Sequence, residues 1–241
     1  MKRLHTYSQY FLRSPQLIKE LVGHSTINSR DTVYDIGAGS GVISSVLASR
    51  AKNVVSIEFE PRTAEKLREN MADYPNVTVI EGDFLRMELP KTPYKVFANI
   101  PFHLSSPIVR KLTEAAHPPD AISLIVQKQF GYKLVPSPDR FTAQLAILIG
   151  PLFAARIRKR LERTDFVPHP NVDTVMLELL RRDEPLVPLA RMPKYREFVT
   201  GCFSDPKLFA KAPQKSINLA LGVKPSEMSL NQWVDLFQAY L

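Results

Sequence analysis

Asp35-Ile36-Gly37-Ala38-Gly39-Ser40-Gly41 lies between Thr32-Val33-Tyr34, a short β-rich run, and Val42-Ile43-Ser44-Ser45-Val46-Leu47-Ala48, a run with helical character. A glycine-rich turn from strand to helix lets a ligand come close to the backbone N–H groups at the helix start. The glycines stand at 37, 39 and 41. A dinucleotide fingerprint would place its third glycine at 42, and that position is Val42, which argues against a nicotinamide dehydrogenase. Asp35, two residues before the first glycine, suits a cationic or zwitterionic ligand better than a pyrophosphate.

Reading outward, three more strands end in polar or aromatic residues. Val54-Val55-Ser56-Ile57 ends in Glu58, seventeen residues after Gly41, followed by Phe59. A carboxylate at such a strand end can accept both hydroxyls of a ribose, and is expected to be no core group. Val77-Thr78-Val79-Ile80 leads to Asp83-Phe84, an acceptor for an adenine amino group beside a packing face. Tyr94-Lys95-Val96-Phe97-Ala98 reads as a buried strand ending in Asn99-Ile100-Pro101-Phe102. There the Asn99 carboxamide and the Ile100 carbonyl can accept from an exocyclic NH2. Pro101 stiffens the turn, and Phe102 offers a stacking face for a planar base.

The pattern between these points predicts a doubly wound α/β fold. Ser14-Pro15 opens a helix with a cap and a proline in its first turn. Pro61 to Asp73 and Ser106 to Ala116 are further helices, Ala121 to Val126 a fifth strand, and Phe141 to Ile149 helical in pattern. Strands alternating with helices to about residue 150 imply a parallel sheet with its ligand at the strands' C-terminal ends. Phe153–Leu161 and Thr174–Leu180 read as two later strands. Arg181 to Pro193 reads as a linker, which divides the chain into a 1–182 catalytic domain and a small 183–241 helical domain. Helices are expected there over Tyr195–Phe203, Gln214–Leu221 and Ser229–Tyr240, the last packing through Trp233, Leu236, Phe237 and Tyr240.

A net charge of +8 favours an anionic partner, nucleic acid first. Arg156, Arg158 and Arg160 alternate on a strand-like run and would share one face, which points to RNA phosphates. The single cysteine, Cys202, excludes an internal disulfide, and the five histidines show no ligand spacing, so no metal is expected. The longest apolar stretch, Leu145 to Ala155, is broken by Gly150-Pro151 and too short for a bilayer. No secretory leader follows Met1, so a cytoplasmic protein is expected.

Taken together, the strand ends at 35–41, 58, 83–84 and 99–102 resemble the S-adenosylmethionine-dependent methyltransferases that modify amino groups of adenine. Ser8-Gln9-Tyr10-Phe11-Leu12 is similar to the S/G-Q-N-F-L segment of the ribosomal RNA adenine-N6 methyltransferases, with Tyr10 where that family usually has Asn. Phe166-Val167-Pro168-His169-Pro170-Asn171-Val172 is similar to its F-x-P-x-P-x-V segment. Ser229 to Tyr240 looks like the closing helix of the Erm branch. The resemblance implies a Rossmann-like sheet and a S-adenosylmethionine cofactor held by Gln9, Tyr10, Leu12, Asp35, Gly37, Gly39, Gly41, Glu58, Phe59, Asp83, Phe84 and Asn99. It also implies catalysis at Asn99, Ile100, Pro101, Phe102 and Phe166, with Phe166 closing on the face of the base opposite Phe102. The Erm branch methylates one adenine of 23S rRNA, before the ribosome is fully assembled, and so confers macrolide-lincosamide-streptogramin B resistance. The sister branch dimethylates small-subunit rRNA and usually has Leu at 100 and Tyr at 102. A monomer is expected. A non-catalytic RNA-binding factor and a small-molecule N-methyltransferase are the readings from other classes.

Overall fold

The computed structural model describes residues 10–137, 141–220 and 222–241, so Gln9 lies outside the described residues. The chain begins with β1 (Phe11–Leu12) and α1 (Pro15–Gly23). The Ser14 hydroxyl accepts from the Leu17 N–H at 3.3 Å and caps α1 as its sequence requires. Then come β2 (Thr32–Ile36), α2 (Val42–Ala48), β3 (Asn53–Glu58), α3 (Pro61–Asn70) and β4 (Val77–Glu81). These are followed by β5 (Lys95–Asn99), α4 (Ser105–Thr113), β6 (Ala121–Gln127), α5 (Lys128–Leu134) and α6 (Gln144–Ile149). The last elements are β7 (Phe153–Leu161), β8 (Phe166–Val167), β9 (Thr174–Arg181), α7 (Met192–Ser204), α8 (Pro206–Lys211) and α9 (Leu230–Tyr240).

Seven strands form one sheet in the order β4-β3-β2-β5-β6-β9-β7. The β3–β4, β2–β3, β2–β5 and β5–β6 pairs are parallel. The chain winds outward from β2 to β4 and then returns to place β5 on the other side of β2. The order therefore reverses between β2 and β5, and the crevice at their carboxyl ends is where a doubly wound sheet takes its ligand. Strands covered on both faces read as continuous apolar runs. Val33, Val54, Val96, Phe97, Ala98, Ile122, Leu124, Ile125 and Val126 are all 1% exposed or less.

The chain falls into two compact units, residues 1–131 with 157–179, and residues 132–156 with 180–241. The sequence suggests a boundary at 182/183 and leaves 132–156 with the catalytic domain. The second unit gathers that segment because α6 is apolar on every side, from Leu145 at 9% exposure to Ile149 at 2%. It packs on α7 and α9. The Tyr195 hydroxyl donates to the Ile147 carbonyl at 3.1 Å, and Leu230 lies so close over Gly150 that a Cβ there would meet it at 2.7 Å. Trp233, Leu236 and Phe237 are buried as their spacing predicts, whereas Tyr240 is exposed and stacks on Phe198. The helix expected over Gln214–Leu221 is only a 3-10 turn, Gln214–Ile217, ended by Asn218 in the left-handed region at φ 52°. Two helices, α5 and α8, are additions to the sequence-based expectation.

Candidate functional site

The β2–α2 turn is held open by its glycines. Gly41 has φ 93°, and a Cβ there would sit 2.7 Å from Leu67 Cδ1 and 2.8 Å from Met71 Cε, so only glycine lets α3 pack this closely. Gly39 has φ 58°, and its hypothetical Cβ would lie 2.9 Å from the ring of Phe11. Beneath the turn, Asp35 is completely buried. Its Oδ2 accepts from the Ser44 hydroxyl at 2.6 Å, and the Ser56 hydroxyl in turn donates to Ser44 Oγ at 2.8 Å. Its Oδ1 has no partner. Burial pushes the Asp35 carboxyl up to about 7; the Ser44 bond opposes this, and the negative charge of Glu58 adds to it.

Glu58 departs from the expectation that it is no core group. It is 2% exposed. Its Oε2 accepts from the Gly39 N–H at 2.8 Å, and its Oε1 from the Phe59 and Glu60 N–H groups at 2.9 and 3.0 Å. The carboxylate thus shapes the glycine turn. Farther along the strand ends, Asp83 Oδ1 accepts from the Leu85 N–H at 2.9 Å, and Arg86 lies 3.5 Å from Asp83 Oδ2. Phe84 is buried, and Phe59 is 63% exposed.

The Asn99 turn adjoins the glycine turn, since a Cβ on Gly37 would be 3.7 Å from Pro101 Cδ. Asn99 Nδ2 donates to the Tyr10 carbonyl at 2.6 Å. That bond commits the amide nitrogen and leaves Oδ1 as the acceptor. Pro101 starts a 3-10 turn, Phe102–Leu104, closed by the Leu104 N–H to the Pro101 carbonyl at 2.9 Å. The Ser105 hydroxyl donates to the Phe102 carbonyl at 2.9 Å. Tyr10, Leu12, Gly37, Ser40, Asn99 and Phe102 are among the residues lining one cleft that opens to solvent. Ile100 is 2% exposed and is among the residues that line the cleft.

Two expected contributors are placed differently. Phe166 is 0% exposed and belongs to the core cluster with Leu12, Phe97 and Met176. The reason is long-range: β1 and β8 form a two-stranded antiparallel ribbon that pairs Leu12 with Phe166. Arg158 is spent on the protein's own structure, its Nε donating to the His24 carbonyl at 3.0 Å and lying 3.8 Å from the buried carboxylate of Glu178. Arg156 and Arg160, on either side of it in β7, are exposed, and each engages other groups of the chain.

Some supporting residues leave no trace in the sequence pattern. Lys111 of α4 donates to the Leu85 and Met87 carbonyls and stands 5.5 Å from the centre of the Phe84 ring. Asp173 braces the segment after Phe166, pairing with Lys128 at 3.2 Å and Arg163 at 3.3 Å. The Lys128 hydrogen bond, seconded by Arg163, holds its carboxyl below the usual range. Among the described residues no three His, Cys, Asp or Glu side chains are grouped to hold a metal ion. No helix among them is long and apolar enough to cross a membrane.

The chain is 30% identical over 245 residues to an rRNA adenine N-6-methyltransferase of Saccharopolyspora erythraea, an alignment covering 96% of this chain and 64% of that protein. It is 31% identical over 192 residues to the ribosomal RNA small subunit methyltransferase A of Streptococcus pneumoniae, covering 76% and 66%. The chain thus spans just under two thirds of the length of these relatives. The crystal structure of the 23S rRNA methyltransferase ErmE superposes with a TM-score of 0.82 at 28% identity, over 95% of this chain and 98% of that one. A dimethyladenosine transferase from Plasmodium falciparum, at 20% identity and TM-score 0.79, shares the fold. The family model for ribosomal RNA adenine dimethylases matches residues 2–209, and the chain belongs to that family.

Proposed function

We propose that the chain transfers a methyl group from S-adenosylmethionine to N6 of an adenine in 23S rRNA. It would do so in the cytoplasm, as a monomer, before the ribosome is fully assembled, and so confer macrolide-lincosamide-streptogramin B resistance. The observation that carries this reading is the Asn99 turn. It presents a carboxamide oxygen and a backbone carbonyl beside an aromatic ring, at the end of β5 and next to the glycine turn.

The residues of the crevice fit S-adenosylmethionine. Beneath the glycine turn, the buried Asp35 carboxylate keeps one unpartnered oxygen, which a cation nearby would stabilise. At Gly37 the turn leaves room, a Cβ there meeting only Pro101 Cδ at 3.7 Å, whereas Phe11 fills the space over Gly39 and Leu67 and Met71 fill that over Gly41. Gly37, Gly39 and Gly41 would admit the methionine and ribose, with Tyr10 and Leu12 as cleft wall. Glu58 would take the ribose hydroxyls, and Asp83, Phe84 and Phe59 the adenine. When bound, S-adenosylmethionine supplies an electrophilic methyl on sulfur.

The chain's own task is placement. An adenine amine is a weak nucleophile because its lone pair is delocalised. Asn99 Oδ1 and the Ile100 carbonyl would accept its two hydrogens and hold the nitrogen toward a tetrahedral geometry. Phe102 would stack on the flipped base. Orientation of this kind supplies roughly 7–11 kcal/mol of a barrier. No general base is needed, because the proton leaves after transfer, when the nitrogen is cationic. Arg156 and Arg160 would meet phosphates.

The likeness to ErmE across 98% of its chain supports the large-subunit target. The 31% identity to a small-subunit methyltransferase supports the second reading. Naked 23S and 16S rRNA, each incubated with labelled S-adenosylmethionine and then read by primer extension, separate the two. A single block in 23S rRNA is expected. Label in 16S rRNA alone would replace the proposal with the second reading, and label in neither would leave an RNA-binding factor.

A further inference from the structure

Tyr10 lies in the cleft in an unexpected relation to the residues assigned to the target base. Its ring stacks on Phe102, with centroids 5.4 Å apart and planes at 26°. Its carbonyl receives the Asn99 Nδ2 bond at 2.6 Å. It also packs against the core cluster that contains the fully buried Phe166. An adenine that gives its amine to Asn99 and its face to Phe102 has to lie on the Asn99 side of the Phe102 ring. The Tyr10 ring already stacks on Phe102, and the backbone carbonyl of the same residue holds Asn99, so the ring and an incoming base draw on the same two residues.

From this we infer that Tyr10 is a specificity-determining residue that holds the place of the target adenine. Its ring covers Phe102 in the free protein and swings away when the flipped base enters, while its backbone carbonyl goes on holding Asn99. The inference rests on the adenine-methyltransferase reading above. Entry of the base then exchanges one aromatic stack for another, so stacking contributes little net binding. The hydrogen bonds to Asn99 and the Ile100 carbonyl are left to decide whether a base stays. A base without a suitably placed amine gains nothing that the tyrosine did not already supply.

The opposite role is also physically sensible: the ring could back Phe102 and keep it square to the base. The two roles predict opposite signs. If Tyr10 competes, Tyr10→Ala raises kcat/KM for naked 23S rRNA about two- to tenfold, the equilibrium range of one stacked aromatic pair. The change falls mainly on the KM for RNA, read at saturating S-adenosylmethionine because Tyr10 also walls the cofactor's part of the cleft. Tyr10→Phe keeps the ring and with it the high KM. A fall in kcat/KM for Tyr10→Ala, at saturating S-adenosylmethionine and unaltered thermal stability, would overturn the inference.

A second readout needs no turnover. Protein carrying 3-fluorotyrosine gives a 19F signal for Tyr10, assigned by its loss in Tyr10→Phe. Adenosine added to the protein loaded with S-adenosylhomocysteine should shift that signal, whereas uridine should shift it less. A Tyr10 signal unmoved at adenosine concentrations that shift other tyrosines refutes displacement. Because free adenosine is the probe, this holds even if no rRNA is methylated, an outcome that would instead sink the proposed function.

Discussion

Asp35→Asn should make the protein more stable and a poorer binder. The Asp35 carboxyl is fully buried, with one oxygen unpartnered and Glu58 close enough to oppose its charge. Its ordinary value is 3.8, and burial raises it to about 7 in the folded protein. A carboxyl raised on folding prefers its proton in the native state, so stability falls as pH rises from about 4 to about 7 and stays low above that. The gap of roughly three pK units corresponds to about 4 kcal/mol, an upper bound because water penetration relaxes it. Asparagine cannot ionise and keeps an acceptor for the Ser44 hydroxyl. Urea unfolding should therefore show the variant more stable by about 2–4 kcal/mol near pH 8, shrinking to about 1 kcal/mol near pH 4.5. Its affinity for the cationic S-adenosylmethionine should drop. An advantage that is equal at the two pH values would refute the assignment of this strain to the Asp35 charge.

Glu58→Ala strips acceptors from three backbone N–H groups, so it should lower stability by about 2–4 kcal/mol as well as weaken S-adenosylmethionine binding, both checked by calorimetry. The arginines of β7 should separate: Arg158→Ala should cost about 3 kcal/mol at most, by removing the cation beside buried Glu178, with little change in RNA binding. Arg156→Ala plus Arg160→Ala should instead reduce the salt slope of RNA binding by up to about 0.9 for each phosphate no longer neutralised, measured by filter binding across a salt series. Asn99→Ala should lose kcat with RNA affinity nearly intact, in single-turnover methylation of protein shown to bind S-adenosylmethionine. Phe102→Ala should lose rate through lost orientation of the base rather than lost affinity, and Phe102→Tyr should stay active in the same assay.

What was legible in the sequence was local. Ser14 and Pro15 mark a helix start by their own chemistry, and the glycines of the β2–α2 turn declare a backbone conformation. The apolar run before Asn99 declares a doubly covered strand. Each needs only its neighbours in the chain. What was hidden depends on partners far along it. Phe166 is buried because Leu12 pairs with it, Arg158 is consumed by a carbonyl at residue 24, and Glu58 is recruited by the N–H of Gly39. A side chain's type says that it can bond, and only the register says to what. The boundary of the second unit was missed for the same reason. The pattern of α6 shows that it needs cover on all sides, and nothing local says that α7 and α9 supply it.

That recruitment of α6 has a consequence for synthesis. The helix leaves the ribosome about 90 residues before α9 is complete. At roughly 5–20 residues per second, its apolar surface waits about 5–18 seconds for the helices that cover it. In that interval the half-made chain exposes Leu145, Ile147, Leu148 and Ile149 together, a patch that holdase chaperones favour and that other nascent chains can trap. Yield in a host should therefore respond to slower growth temperature and chaperone supply more than to any change at the catalytic crevice. A chain cut short after Arg182 would carry that patch permanently.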